Sequence, residues 1–255
     1  MRQILLIAGL LFCSIPAHAV TWTHTRNCLP AVGGSNVNTF ASGAACSTTS
    51  IVAGSLVVVE NWWYWTGSDA ATSIADSDSV SSTGWTCYSV QQNGVGLQFT
   101  QACWTCATAS TTTSYAVTMT PTGGTFTYPR MSIDIFTGPQ ASSGCIGQKN
   151  QTTITTNTTA VNTPSITTTV AASLLWSGGG TSLGASWTAG SPWTIGGQNA
   201  GVASEYDRGT GGAGVAVNTY SPNYTMGTSS TYNTDILSFS PAGSITQIGG
   251  FLPGP

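Results

Sequence analysis

Residues 57–69 read VVVENWWYWTGSD, a valine run that ends in four consecutive aromatic side chains, Trp62, Trp63, Tyr64 and Trp65. β-Branched and aromatic residues favour a strand. On a strand, successive side chains point to opposite faces. Val57, Val59, Trp63 and Trp65 therefore share one face, and Val58, Glu60, Trp62 and Tyr64 share the other. Both faces are apolar. Either the strand is covered on both sides, with all four rings in a core, or one aromatic pair faces solvent. In the second case Trp63 and Trp65 offer a platform on which a sugar ring stacks, with the indole N–H left for a hydroxyl. Trp187 and Trp193, in a Gly/Ser/Pro-rich stretch, form a second candidate ligand-binding surface.

The rest of the chain repeats this strand signature. Apolar residues alternate or come in short runs between Gly, Pro, Ser and Asn clusters, and no window keeps a helical period. Further strands are predicted in 20–26, 84–92, 95–107, 114–120, 125–136, 165–178, 201–207 and 232–240. Thirty-one glycines and eleven prolines supply the turns. The expected fold class is all-β, a β-sandwich of jelly-roll or concanavalin-like type, with a β-helix as the alternative. Residues 151–169, QTTITTNTTAVNTPSITTT, are low in complexity, with Thr pairs every three residues. That spacing does not match the two-residue period of a flat strand, so a Thr-rich loop or edge strand is expected.

Residues 1–19 read as a secretory signal peptide: Arg2, a short apolar core, and Ala17-His18-Ala19 as cleavage site. Residues 20–240 form one sandwich domain in this reading, and 241–255 a Gly/Pro-rich tail. The apolar runs are too short for a membrane span. Only 5% of residues are charged, and the net charge is −3. Without a basic patch, nucleic acid is excluded as a partner. A neutral Thr/Ser/Asn/Gln/Gly surface suits binding to neutral polymers or self-association.

Excluding Cys13 of the signal leaves six cysteines, Cys28, Cys46, Cys87, Cys103, Cys106 and Cys145. An even count in an exported chain implies disulfides. A Cys28–Cys46 bridge closes a short Gly/Ser-rich loop, and the other pairings stay open. The CWTC stretch at 103–106 has strand-like flanks, which argues against a redox motif.

Four motifs bear on catalysis or metal binding. GTSLG at 180–184 has the G-x-S-x-G form with Ser182 as nucleophile, but ASWTAGSPWTIGG after it cannot be the required helix, and no histidine follows. Glycoside hydrolysis needs two carboxyl groups on one bond. The mature chain has two glutamates, Glu60 and Glu205, so a hydrolase would use that pair. Asp76 and Asp78, two apart in a Ser-rich turn, are a calcium candidate, with an Asx-type turn as the plainer expectation. No other cofactor is implied. The strand SIDIF at 132–136 resembles the E-I-D-I-x-E strand of laminarinase-type jelly-roll hydrolases. Ser132 and Thr137 stand where those enzymes carry glutamates, so the resemblance supports the fold and argues against the activity.

A wider similarity covers most of 50–240. GSLVVVENWWYW, SIADSDSVSSTGWTCYSV, YAVTMTP, MSIDIFTG, TTTVAASLLWSGGG and DILSFSPA follow one another in an order that resembles jelly-roll or concanavalin-like β-sandwich domains of bacterial exported and phage-associated proteins. The resemblance implies surface adhesion or carbohydrate binding and transfers no catalytic residue. The expectation is a secreted, non-catalytic protein whose partner is a polysaccharide or cell-surface glycan. The alternatives are a self-associating structural protein and a hydrolase using Glu60 and Glu205.

Overall fold

The valine–aromatic run folds as β3 (Leu56–Trp65), and both of its faces are covered. A computed structural model describes residues 21–29, 33–34, 37–41, 51–65, 72–77, 84–93, 98–106, 115–138, 145–181, 184–199 and 201–242. For Arg26, Trp65, Thr72 and Asn93 it describes the backbone alone. The expected signal segment 1–19, Cys46, Asp78, Ser182 and residues 243–255 lie outside the described residues.

β3 sits between β9 (Phe126–Thr137) and β7 (Gln98–Thr105) in a six-stranded sheet. β1 (Thr23–Cys28) flanks β9, and the short β5 (Thr86–Cys87) and β6 (Gln91–Asn93) both pair with β7. A second six-stranded sheet runs in the order β10 (Ile146–Ala160), β17 (Tyr224–Phe239), β12 (Leu174–Thr181), β15 (Val202–Asp207) and β14 (Thr194–Asn199). Its sixth strand, β13 (Trp187–Ala189), pairs with the start of β17. Two small sheets lie outside these: β2 (Phe40–Ala41), β8 (Val117–Pro121) and β4 (Thr72–Asp76) on one side, and β11 (Ile166–Thr167) with β16 (Thr219–Tyr220) on the other.

Every pairing between described strands is antiparallel. Stacked antiparallel sheets make the fold an all-β sandwich and set aside the parallel β-helix alternative.

Three apolar layers hold the sheets together. Val57, Val59 and Trp63 join Phe99, Met131, Ile133 and Ile135 of their own sheet and pack on Phe40, Val117 and Met119 of the three-stranded sheet. On the opposite face Leu56 and Val58, with Trp104 and Phe136, meet Leu174, Trp176, Leu237 and Phe239 of the second large sheet. Beyond that sheet, Leu175 and Ile236 pack with Ile166, Trp193 and Val215. Each such side chain contributes roughly 1.5–3 kcal/mol on leaving water. Two disulfides, Cys87–Cys103 and Cys106–Cys145, tie the first sheet internally and to the entry of β10. Cys28 is also disulfide-bonded, and its expected partner Cys46 lies outside the described residues.

Residues 151–160 of the Thr-rich stretch form the C-terminal part of β10, the edge strand of the second sheet, and the stretch then runs on through β11. The pairing of β10 with β17 slips between Ile154 and Thr158 and again between Thr158 and Ala160. These irregularities fall where the Thr pairs break the two-residue period.

Candidate functional site

The aromatic side chains expected to bind ligand are almost all taken up by packing. Trp63 has no exposed surface; it stacks on Phe99 and meets Phe126 edge-on. Neither indole face is left for a sugar. Trp187 is buried over the second sheet between Tyr224 and Tyr232. Trp193 is buried in the layer formed with Val215 and Tyr220. The side chain of Trp65 lies outside the described set. Alternation alone could not show this, because it fixes which residues share a face but not that a third sheet covers that face.

The two glutamates are separated by a sheet. Glu60 points from β3 into the space between the large sheets, where its Oε2 lies 2.3 Å from where a Cβ on Gly178 of β12 would sit. Glu205 pairs with Ser177, the neighbouring β12 residue, and therefore faces the opposite side. Its Oε1 accepts the Asn223 backbone N–H at 3.1 Å. Burial raises the Glu205 carboxyl to about 8, and the Asn223 hydrogen bond works against that rise. The structure does not bring Glu60 and Glu205 together on one bond.

Glu60 instead meets Asp235 of β17, a residue without a sequence signal. Burial raises the Glu60 carboxyl well above its ordinary range, and the neighbouring Asp235 adds to the shift. Burial likewise raises Asp235. The adjoining carboxylate, Asp134 of β9, is differently placed. Its Oδ1 accepts from Asn27 Nδ2 at 2.9 Å and lies 2.8 Å from His24 Nε2, while its Oδ2 accepts from Trp176 Nε1 at 2.8 Å. Asp134 thus anchors β1 and β12 across the sandwich. His24 is a strand residue held by this carboxylate and by the rings of Phe136 and Tyr206.

Asp76 is also structurally engaged: its Oδ2 accepts from Tyr115 Oη at 2.7 Å and from Trp85 Nε1 at 3.1 Å. Its proposed calcium partner, Asp78, is outside the described residues. Among the described residues, no group of three or more His, Cys, Asp or Glu side chains is clustered to hold a metal.

A cleft of about 450 Å³ lies on the outer face of the second sheet. Pro192, Asp207, Thr210, Val215, Ala216 and Tyr220 line it, with Gly209 and Gly214. Asp207 ends β15, two residues after Glu205 and on the same face. It is mostly buried, its Oδ1 accepts the Gly209 N–H at 2.8 Å, and desolvation raises its pKa. Tyr220 holds its hydroxyl on the Ala216 carbonyl at 2.9 Å, which fixes the ring at the mouth. The rim loop is tied down by hydrogen bonds. Trp22 donates from Nε1 to the Ala172 carbonyl at 2.9 Å and from its backbone to Gly212 at 2.7 Å. Gly214 has φ 76°, and a Cβ there would lie 2.3 Å from the Ala172 backbone, so only glycine fits. Of the expected ligand residues, Trp193 comes nearest: it follows Pro192 in the chain and packs with Tyr220 beneath the cleft.

No protein-family model, no curated protein and no solved structure matches this chain.

Proposed function

We propose that this chain is an exported, non-catalytic β-sandwich protein that binds a neutral polysaccharide or cell-surface glycan in the cleft between β15 and the 208–220 segment. The observation that carries this reading is the pairing, in one cleft, of the Asp207 carboxyl with the Tyr220 ring. A carboxylate accepts from sugar hydroxyls, Thr210 exchanges hydrogen bonds with them, and an aromatic face receives the C–H side of a pyranose. The low charge of the chain suits an uncharged polymer, and its disulfides suit an extracellular setting.

Isothermal titration of the mature protein against soluble neutral polysaccharides tests this directly. Saturable binding to one polymer is expected, weakened at least tenfold by Tyr220→Ala and by Asp207→Asn while near-UV circular dichroism stays unchanged. Binding that survives both substitutions places the ligand elsewhere. Absence of binding across the panel removes the carbohydrate reading.

Self-association has its own support. β10 is an edge strand of fifteen residues with no proline, and Lys149 is its only charged side chain. Natural edge strands carry charges, prolines or short lengths that discourage pairing. Light scattering over a hundredfold concentration range, with Thr153→Lys and Thr156→Lys in β10, separates this reading from the first. A mass that stays monomeric at every concentration removes it.

A further inference from the structure

The inner face of the sandwich changes character along β3. Leu56 and Val58 lie in an apolar layer. The next residues on that face, Glu60 and Trp62, begin a polar one. Glu60 stands opposite Ala102 of β7, and Trp62 opposite Thr100, which in turn pairs with Gln91 of β6. Across the gap, Asp235 pairs with Gly178 and Asn233 with Gly180. Glu60, Thr100 and Asn233 have no exposed surface, Asp235 is 1% exposed and Gln91 6%.

This layer holds more unpartnered acceptors than donors, though Trp62 Nε1, and Arg130 Nε and Nη1 in the row beside it, are also buried without a partner. Asn233 Oδ1, Gln91 Oε1 and Thr100 Oγ1 are buried without a hydrogen-bond partner, and the Glu60 and Asp235 carboxyls have none beyond each other. Among the described residues the one ion pair is His24–Asp134, so no basic side chain neutralises Glu60 or Asp235. Arg130, in the same cross-strand row as Trp62, lies 4.7 Å over that indole ring and forms no ion pair. Two carboxylates stripped of water are costly unless something compensates them. One proton shared between them makes a single bond and leaves the remaining acceptors unserved.

We propose that Glu60 and Asp235, with Thr100 Oγ1, Asn233 Oδ1 and Gln91 Oε1, bind a calcium ion between the two large sheets. The two carboxylates balance its charge. Their four oxygens and the three neutral ones give seven hard donors, within the six to eight that calcium takes. Magnesium is a poorer match, because it keeps several waters and near-ideal octahedral geometry, whereas this layer lies between packed sheets. Gly178 and Gly180 leave the facing strand without side chains at the levels of Glu60 and Thr100. The site is distinct from the Asp76 turn, whose Oδ2 is already occupied by Tyr115 and Trp85.

The test uses the mature protein, first treated with chelator and then titrated with terbium, which occupies calcium sites and is excited by nearby indoles such as Trp62. Saturable sensitised emission that calcium displaces is expected, lost in Glu60→Gln and in Asp235→Asn and kept in Asp76→Asn. Calcium at a hundredfold excess over its Kd is expected to raise the folding equilibrium constant about a hundredfold over the chelated protein. The bound-metal stoichiometry of the wild-type protein after dialysis, expected to be one calcium per chain, needs no variant to fold. Absence of terbium emission, of calcium after dialysis and of any calcium-dependent stability overturns the proposal in favour of a shared proton. Emission lost in Asp76→Asn but kept in Glu60→Gln overturns it in favour of the turn.

Discussion

Glu205→Gln is expected to flatten the fall of stability with pH that the buried carboxyl imposes. In the folded protein Glu205 titrates at about 8, against an ordinary value of 4.5. Between those values the folded state holds a proton that the unfolded state has released. Stability then decreases with pH at about 1.4 kcal/mol per unit for this one group. The contribution is fully present below pH 4.5 and is lost as pH rises through about 8. Across the window it reaches on the order of 5 kcal/mol, a large part of the 5–15 kcal/mol typical of a domain. Glutamine keeps the oxygen that accepts from Asn223 and cannot ionise. Asp207, Glu60 and Asp235 titrate in both proteins and cancel in the difference. Urea unfolding followed by tryptophan fluorescence, at pH 5 to 9 with chelator present throughout, gives both curves. The variant is expected to gain on the wild type steadily from pH 5 to pH 8. Parallel curves would falsify the claim that burial holds Glu205 protonated.

Three further comparisons test the packing and the disulfides. Trp63→Ala should cost about 3–5 kcal/mol in urea unfolding, because the ring is enclosed by Phe99 and Phe126; a cost below about 1 kcal/mol would mean that the third sheet does not cover it. Gly180→Ala places a Cβ 2.6 Å from Thr100 Cγ2 and Trp62 Cδ1, whereas Gly34→Ala meets nothing within 4 Å. The first should therefore lose about 1–3 kcal/mol and the second stay within about 0.5, and equal effects would refute the close approach of the sheets. Replacing Cys106 and Cys145 by serine opens a sequence separation of 39, against 16 for Cys87 and Cys103. In the chain-entropy picture the longer loop contributes about 3–4 kcal/mol, somewhat more than the shorter one, and the ranking of the two double variants by Tm checks it.

The long strands were legible in the sequence because period-two alternation and β-branched residues coincide there. β3 takes in the whole valine–aromatic run read as a strand, and β9 and β15 lie within a residue or two of expectation. β14, with the sequence TIGGQN, was not predicted; its glycines remove the alternation that marks a strand. They are there because Gly196 faces Asp134 and Gly197 faces Asn27 at distances that exclude any side chain. The predicted strand 165–178 is two strands, β11 and β12, broken at Ala172, whose φ is 62°. Of the candidate site, Glu60 could be recognised as a carboxyl in an apolar strand. Its partner could not. Asp235 lies in DILSF, where it reads as one polar residue in an ordinary alternating strand. Only the register of β17 against β12 puts it opposite Gly178 and so against Glu60.

The GGG of β12 follows from the same register. As sequence, its last glycine opens a nucleophile-elbow pattern. As structure, the run is a strand packed on both faces. Gly178 lies against Glu60, Gly180 against Thr100 and Trp62, and Gly179, pointing the other way, against Trp187 and Thr234. Sheets stack about 10 Å apart, and two large side chains do not fit end to end across that gap. The bulk that β3 and β7 place in the gap is therefore matched by its absence on β12. Glycine weakens a strand through backbone entropy and lost packing. Three in succession persist here because two neighbouring layers close on one strand from opposite sides. It follows that the polar layer and the glycine run form one unit. An alanine at Gly178 would displace the Glu60 carboxyl as surely as a change at Glu60 itself, and restoring the layer would require a smaller side chain on β3 at the same level.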